Sequence, residues 1–158
     1  METGISLAEC LISMALVSIL TTIAAPAVSS LIAKNQLDTA TQQLRQDIAH
    51  ARYVAVIRQQ PVSINPTKPN CWHCGWRIGA EAKTLILRSP LSASIKITSN
   101  SPWQTGATFM PNGAAVQQGG AFAAGSFFIC ATNSNHHFKV IISKSGRARI
   151  LRVMTPCL

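Results

Sequence analysis

Acidic residues are scarce in this sequence. Its 158 residues include 5 Asp and Glu against 14 Lys and Arg, and residues 82–158 contain no acid at all. Paired carboxylates for acid–base catalysis are missing there, and no nucleophile, base and orienting acid occur with a recognisable spacing. We predict a binding and assembly protein rather than an enzyme, with no cofactor and no bound metal.

Charge of either sign is missing from residues 10–33, which directly follow Glu9. At about 1.5 Å per residue, a helix of this length is long enough to cross a bilayer core. A carboxylate in front of such a run costs about 2.5–3.5 kcal/mol in hydrocarbon by insertion scales, so we expect Glu9 to have a function. An ordinary signal anchor would also explain the uncharged run, but it gives Glu9 no role.

Basic residues are confined to the rest of the chain. All 14 Lys and Arg lie at or after Lys34, where only Asp38, Asp47 and Glu81 are acidic. Such a one-sided field attracts polyanions such as nucleic acid, lipopolysaccharide or anionic membrane. The part of the chain from residue 34 onward is long enough for one domain with a modest core.

Apolar residues recur at steps of three and four beyond the uncharged run, which is typical of an amphipathic helix. One long helix is predicted from about Ile5 to Arg58. Pro61 ends it, because proline disfavours helix in the residue before it. The second half of this helix is expected to lay an apolar stripe on the domain, made of Leu37, Ala40, Leu44, Ile48, Ala51 and Ala55.

Beyond Pro61 the sequence changes to short β-branched and aromatic runs separated by Pro, Gly, Asn and Ser. Such runs predict antiparallel strands in packed sheets. The fold class is therefore α+β, with a long N-terminal helix packed on an antiparallel β-sheet or sandwich. Residues 113–125, rich in Ala and Gly, are predicted to form a mobile loop. The predicted strands are 62–64, 75–79, 84–88, 94–98, 107–110, 126–131, 138–143 and 147–153.

The N-terminal segment resembles the cleavage and assembly signal of type IV prepilins and type II secretion pseudopilins, because Gly4 and Glu9 flank four residues ahead of an apolar run. The resemblance implies that a prepilin peptidase cuts between Gly4 and Ile5 and methylates the new amine. It implies that Glu9 pairs with the terminal amine of a neighbouring subunit. Pro26 falls where pilins commonly carry a proline. The leader lacks the usual Lys or Arg, and Ile5 replaces the more typical Phe or Met.

The same resemblance implies three parts of the chain. Residues 1–4 form the leader, residues 5–33 the transmembrane and assembly half of the helix, and residues 34–158 a globular pilin-like domain. The implied location is the inner membrane, with a single pass and a periplasmic domain, followed by the assembled pilus at the cell surface. The implied partners are other pilin or pseudopilin subunits, the prepilin peptidase, and the inner membrane before assembly.

The C-terminal part resembles the GspH/FimT family of minor pilins and pseudopilins. The similarity lies in residues 51–62, in Phe-Met-Pro-Asn-Gly at 109–113, and in 140–143 followed by Gly-Arg-Ala-Arg at 146–149. A Gly-Arg-x-Arg signature is typical of the FimT branch, which is associated with DNA uptake in natural transformation. The resemblance therefore implies DNA binding near the C-terminus. The alternative is a structural minor pseudopilin that primes a type II secretion filament and has no role in DNA binding.

The spacing of the C-terminal basic residues fits phosphate binding. On a strand, Arg147 and Arg149 point the same way with Ala148 facing inward, so two guanidiniums can meet successive phosphates. A solvated outer face on an edge strand is the alternative. No motif for reading base edges is present, so DNA binding is expected to be independent of sequence. Arg152 has the opposite parity and joins only if the strand bulges. The candidate DNA-binding residues are Arg147, Arg149, Lys144, Lys139, Gly146 and Arg152.

Cysteines and tryptophans leave alternatives open. The Cys-x-x-Cys segment 71–74 suggests a redox or zinc site, but its β-rich setting and the shortage of further ligands argue against both. Export favours oxidation. Four cysteines allow three pairings, of which we favour Cys71 with Cys74 and Cys130 with Cys157. The three tryptophans are expected in the core or at its rim, with stacking on bases as the alternative.

Overall fold

The structure is a computed structural model that describes residues 7–81, 83–117, 119–132 and 137–153. The chain divides into two compact units, Met1–Ile32 and Ala33–Leu158. The predictions for Gly4, Ile5 and Cys157 fall outside the described residues.

Helix α1 comprises Leu7–Arg58, in agreement with the predicted helix. In the first unit its hydroxyl side chains hydrogen-bond to the helix itself, as when Ser18 Oγ donates to the carbonyl oxygen of Ala15 at 2.8 Å. The helices of the described residues include none that is long and apolar enough to cross a membrane. The predicted transmembrane half of the helix is therefore not confirmed.

In the second unit, α1 buries one face. The helix ends where predicted, because Gln59 adopts a left-handed backbone with φ of +52° and Pro61 follows it. His50, on the opposite side of the helix, is exposed. All six residues of the predicted stripe are buried, namely Leu37, Ala40, Leu44, Ile48, Ala51 and Ala55.

Two antiparallel sheets follow the helix and confirm the α+β prediction. Strand order is β3-β2-β1-β5-β6 in the first sheet and β4-β7-β8-β9 in the second. A short 3-10 helix, Ser101–Trp103, precedes β5. The strands within the described residues are β1 Val62–Lys68, β2 Cys71–Ala80, β3 Lys83–Leu87, β4 Ile95–Ser99, β5 Ala107–Phe109, β6 Ala115–Val116, β7 Gly125–Ala131, β8 His137–Ile142 and β9 Ala148–Val153.

The strands differ from the prediction at β1 and β2, in the segment 113–125 and at β9. β9 begins at Ala148, so Arg147 precedes the strand instead of opening it. β1 and β2 are longer than predicted and continue through Pro66, which is tolerated because β5 pairs only with residues 62–64 of β1. The segment predicted as a mobile loop, 113–125, contains β6, and Val116 forms a β-bridge with Phe122. Pairing with β5 and the bridge to Phe122 therefore produce β-structure in a segment whose Ala- and Gly-rich composition suggested a loop.

The tryptophans form the centre of the core. Trp72, Trp76 and Trp103 are fully buried, so the alternative that they stack on bases is wrong. The ring centroids of Trp72 and Phe127 lie 4.8 Å apart in an edge-to-face arrangement. The indole N–H groups of Trp72 and Trp103 are hydrogen-bonded. Trp72 Nε1 donates to the carbonyl oxygen of Trp103 at 2.8 Å, and Trp103 Nε1 donates to the carbonyl oxygen of Ala123 at 2.7 Å.

A buried carboxylate connects α1 to the first sheet. Asp47 is 3% exposed and accepts hydrogen bonds from Arg88 Nε and Nη2, both at 2.8 Å, in a bidentate pair. Trp76 Nε1 donates to the same carboxylate at 2.9 Å. The hydrogen bond to Asp47 raises the pKa of Arg88, against a smaller opposite effect of burial. Asp47 therefore holds β2 and the end of β3 on the helix.

Candidate nucleic-acid interface

The β8–β9 hairpin carries the predicted DNA-binding residues. Its strands pair antiparallel in an unbroken register. The connection, residues 143–147, is closed by two backbone hydrogen bonds: Gly146 N donates to the carbonyl oxygen of Ser143 at 2.9 Å, and Ser143 N donates to that of Arg147 at 3.0 Å. Among the described strands, β9 is at the edge of its sheet. The basic residues therefore sit on a short turn and an edge strand.

Arg147 and Arg149 lie on the same side of the hairpin. Both are exposed, whereas Ala148 and Ile150 between and after them pack against the core. The alternation follows from the pleat, which turns residues i and i+2 to one face about 6.5–7 Å apart. Arg149 lies opposite Ile141 of β8. The predicted pair of neighbouring guanidiniums is thus compatible with the fold.

Lys139 and Lys144 are near this pair. Lys139 lies opposite Leu151, which shares the outer face with Arg149. Its Nζ atom is 4.8 Å from the ring centroid of Phe128, at the distance of a cation–π contact. Lys144 is exposed in the turn. Both lysines therefore add positive charge to the rim and outer face of the hairpin.

Arg152 does not join the other basic residues. It lies opposite Phe138, whose side chain is buried on the inner face, and the register between β8 and β9 contains no bulge that would change this parity. Its guanidinium carbon is 5.8 Å from the ring centroid of Phe138. Arg152 is therefore not on the outer face with Arg149, because the two lie an odd number of positions apart along the strand.

Gly146 fits a site that has no room for a side chain. Its φ is +75°, in the left-handed region that favours glycine. A Cβ atom here would lie 2.4 Å from the carbonyl oxygen of Gly113, 2.9 Å from Phe109 Cε1 and 3.0 Å from Arg52 Cδ. The Gly-Arg-x-Arg turn is therefore packed directly on the Phe-Met-Pro-Asn-Gly turn and on the helix.

Arg52 holds these turns together. Its Nε atom donates to the carbonyl oxygen of Gly113 at 3.1 Å and to that of Ser145 at 3.0 Å. Arg52 was not among the predicted site residues, because its place beside the apolar stripe of α1 is typical of a solvated residue. Only its position directly after Ala51 indicates that its stem lies near the domain. Arg52 thus fixes the hairpin turn relative to α1.

A groove of about 550 Å³ separates α1 from the hairpin. Its basic lining consists of Arg52, Arg147 and Arg149, and its apolar lining includes Ala49, Ile141 and Ala148. Three guanidiniums therefore share one concave surface with an aliphatic wall. Nothing in the sequence alone brings Arg52 and Ala49 to the C-terminal arginines.

The electrostatic setting of the groove is one-sided. Among the described residues, neither Arg147 nor Arg149 has a side-chain hydrogen bond or an ion pair, and Asp47 is already paired with Arg88. No carboxylate is among the described residues that line the groove. Unpaired guanidiniums keep their donors available for phosphate or carboxylate groups, which they bind in bidentate fashion.

The Cys-x-x-Cys segment forms a disulfide. Cys71 and Cys74 are bonded, with Cα atoms 5.3 Å apart, which confirms the predicted pairing. His73 Nε2 lies 3.3 Å from the sulfur of Cys71, and the three side chains are close enough to suggest a metal site. Zinc ligation needs thiolates, however, and disulfide sulfurs are not thiolates. Cys130 is also disulfide-bonded.

Alkylation of the folded, unreduced protein is expected to leave Cys71 and Cys74 unmodified, because neither has a free thiol. Peptide mass spectrometry before and after reduction measures this directly. Labelling of either residue before reduction, or one equivalent of zinc in the purified protein, contradicts the disulfide. Cys10, which is free and exposed, serves as the internal control for the alkylating reagent.

The family described as type II transport protein GspH matches residues 40–146. The chain belongs to this family of minor pilins and pseudopilins. The match spans α1 from Ala40 onward, the first sheet, strands β4, β7 and β8 of the second sheet, and the hairpin turn up to Gly146. β9 lies beyond it. Such proteins associate with other pilin subunits in a filament. No curated protein sequence matches the chain.

Solved structures share the fold. The type IV minor pilin FimU of Pseudomonas aeruginosa is 23% identical with a TM-score of 0.64, and the alignment covers 75% of this chain and 90% of that one. The minor pseudopilin EpsH from the type 2 secretion system of Vibrio cholerae is 9% identical with a TM-score of 0.56, covering 73% of this chain and 96% of that one. At these identities the likeness concerns the architecture alone.

Proposed function

We propose that this minor pilin binds extracellular DNA without sequence specificity, through its phosphates, during DNA uptake. The observation that carries the proposal is the pair Arg147 and Arg149, exposed on one side of an edge hairpin and without protein partners among the described residues. Lys144 and Lys139 add charge next to them. Gly146 acts through the backbone, because it lets the turn pack on Arg52.

The absence of acids around the hairpin supports the same proposal. Residues 82–158 carry eight basic and no acidic residues, so a polyanion meets no repulsion on this part of the chain. The turn that precedes the two arginines is fixed by the hydrogen bond that Arg52 Nε donates to the carbonyl oxygen of Ser145. Because the backbone of this turn is already fixed, the conformational entropy lost on binding comes mainly from the arginine side chains.

We further propose that the N-terminus is processed as the prepilin resemblance implies. The peptidase cuts between Gly4 and Ile5 and methylates the new amine, and Glu9 pairs with that amine in a neighbouring subunit. Glu9 lies in the first turn of the described helix, where a carboxylate is favoured by the helix dipole. The subunit is stored in the inner membrane with a periplasmic domain and then assembled into a pilus.

A structural role in a type II secretion filament is the second candidate. The family description and the likeness to a minor pseudopilin favour it. In that case Arg147, just before β9, and Arg149, on it, serve only to discourage pairing of the free edge of β9 with another strand. The two candidates differ in whether removal of these charges affects DNA binding.

Replacing both arginines by glutamine is expected to weaken duplex DNA binding at least about tenfold and to flatten its salt dependence. Two lost phosphate contacts lower the slope of log K against log salt by about 1.8. Fluorescence anisotropy with the full-length chain and labelled duplex at several salt concentrations measures both quantities for Arg147→Gln/Arg149→Gln.

The matched control removes two exposed positive charges from the first sheet. Arg77→Gln/Lys83→Gln has the same net charge as the test variant but leaves the hairpin unchanged. Equal weakening by both variants shows that total charge, not the hairpin, determines binding. Failure of the unmodified protein to bind DNA favours the structural role in a secretion filament.

A further inference from the structure

We propose that the groove between α1 and the β8–β9 hairpin receives an unpaired nucleotide, so that the protein prefers single-stranded over duplex DNA. The inference rests on the proposed function and adds the form of the nucleic acid. It depends on the combination of three guanidiniums with an aliphatic wall in one concave surface.

Arg52 is the third cation of this groove. Both of its hydrogen bonds to carbonyl oxygens are made by Nε. Its two terminal amino groups have no hydrogen-bond partner among the described residues, and Arg52 lines the groove together with Arg147 and Arg149. A phosphate that enters the groove therefore meets guanidiniums from both the helix and the hairpin, and the hydrogen bond from Arg52 to Ser145 fixes the hairpin turn relative to the helix.

The aliphatic wall distinguishes a nucleotide from a phosphate. Ala49, Ile141 and Ala148 offer no donor or acceptor side chain, so a phosphate gains nothing from them. In a duplex the bases are stacked inside and only phosphates and sugars reach a protein that does not enter a groove. A single strand presents unstacked bases, which bind proteins through apolar contacts and through stacking on guanidinium planes.

The size of the groove agrees with this occupant. Its volume of about 550 Å³ lies within the range of roughly 300–1,000 Å³ that accommodates ligands the size of a small molecule. Arg147 and Arg149 are then placed to contact neighbouring phosphates of the same DNA strand, because residues two apart in extended chain lie about 6.5–7 Å from each other. One base in the groove accounts for its aliphatic side chains, and phosphates on its rim account for its three arginines.

The test fills the groove without changing its charge. Ala49 is exposed on α1, so Ala49→Phe places a large ring in the groove while the core is unaffected. Full-length protein is titrated with a labelled single-stranded oligonucleotide, with the same strand containing abasic sites, and with the duplex. Gln42→Phe, on an exposed part of the same helix outside the groove, is the matched control.

The unmodified protein is expected to bind the single strand several-fold more tightly than the duplex. Ala49→Phe is expected to weaken single-strand binding about tenfold, as the abasic strand does in the unmodified protein, because each loses the contact of one base. Duplex binding is expected to change less than about twofold, and Gln42→Phe to change neither. Thermal melting checks the fold, and Ala49→Met replaces Ala49→Phe if the larger ring unfolds the protein.

Equal affinity for both forms of DNA, unaffected by Ala49→Phe and by abasic sites, overturns the inference. In that case loss of duplex binding in Arg147→Gln/Arg149→Gln still upholds the proposed function. If the protein binds neither form, the proposed function itself fails. A groove filled by a neighbouring subunit gives a distinct outcome, in which Ala49→Phe impairs filament incorporation and leaves both DNA affinities unchanged, and this outcome also overturns the inference.

Discussion

Gly146→Ala is expected to destabilise the protein by about 3 kcal/mol and to reduce DNA binding, although it removes no charge. The added Cβ would meet the carbonyl oxygen of Gly113 at 2.4 Å, and the φ of +75° is itself unfavourable for alanine. Backbone strain and overpacking each cost about 1–3 kcal/mol. Because neither Phe109 nor Arg52 is a loose surface side chain here, the hairpin turn has to move.

Substitutions of two glycines in the segment 113–125 distinguish backbone strain from overpacking. Gly120 has a similar φ of +80°, but nothing lies within 4 Å of the added atom, so Gly120→Ala is expected to cost only the strain, about 1 kcal/mol. Gly119 has free space and no positive φ, and Gly119→Ala is expected to change stability by less than about 0.5 kcal/mol. Chemical denaturation and DNA titration are measured for all three variants. If Gly146→Ala matches Gly120→Ala in both, the close packing of the hairpin turn is wrong.

Arg88→Met is expected to cost about 3–5 kcal/mol of unfolding free energy at neutral pH. The substitution keeps the apolar stem of the side chain but leaves the carboxylate of Asp47, which is 3% exposed, without its counter-ion. Removing one partner of a buried ion pair costs about 3–5 kcal/mol. The lower end of this range is expected here, because the side chain of Arg88 is 37% exposed and some water can reach the remaining carboxylate. Trp76 Nε1, the other donor to Asp47, supplies one hydrogen bond but no charge.

A double-mutant cycle isolates this cause. In the Asp47→Asn background no buried charge remains, and Arg88→Met is then expected to cost only about 1 kcal/mol. Arg77→Met, at an exposed arginine of β2, controls for loss of a positive charge and is expected to cost less than about 0.5 kcal/mol. Urea denaturation at one pH gives all the values. An equal cost of Arg88→Met in both backgrounds would show that the pair with Asp47 does not stabilise the fold.

The elements with a regular period were predictable from the sequence. The apolar stripe of α1 is buried at every predicted position, because helical spacing alone decides which residues share a face. The alternation of exposed Arg147, half-buried Ala148 and exposed Arg149 was likewise predictable from the pleat of a strand, although β9 itself begins only at Ala148. The Cys71–Cys74 disulfide was predictable, since the two residues are close in sequence and the chain was predicted to be exported, which favours oxidation.

The contacts that shape the groove were not predictable in this way. Arg52 is 61 residues from Gly113 and 93 from Ser145, and Asp47 is 41 residues from Arg88. A sequence pattern reports periodicity within an element, whereas these hydrogen bonds depend on how distant elements meet. The same reason explains β6, where pairing with β5 imposes a strand on a segment of Ala and Gly composition.

Arg52 Nε donates hydrogen bonds to two turns, at Gly113 and at Ser145. A substitution that shifts one of these turns is therefore expected to shift the other as well. Gly113 has a φ of +80°, and a Cβ there would meet the guanidinium of Arg52 at 3.0 Å. In a randomly mutagenised library, variants that lose the proposed DNA binding should therefore include substitutions of Gly113 as well as of Arg147 and Arg149, although Gly113 carries no charge. Second-site suppressors of the Gly113 variants are expected at Arg52, the helix residue that hydrogen-bonds to both turns.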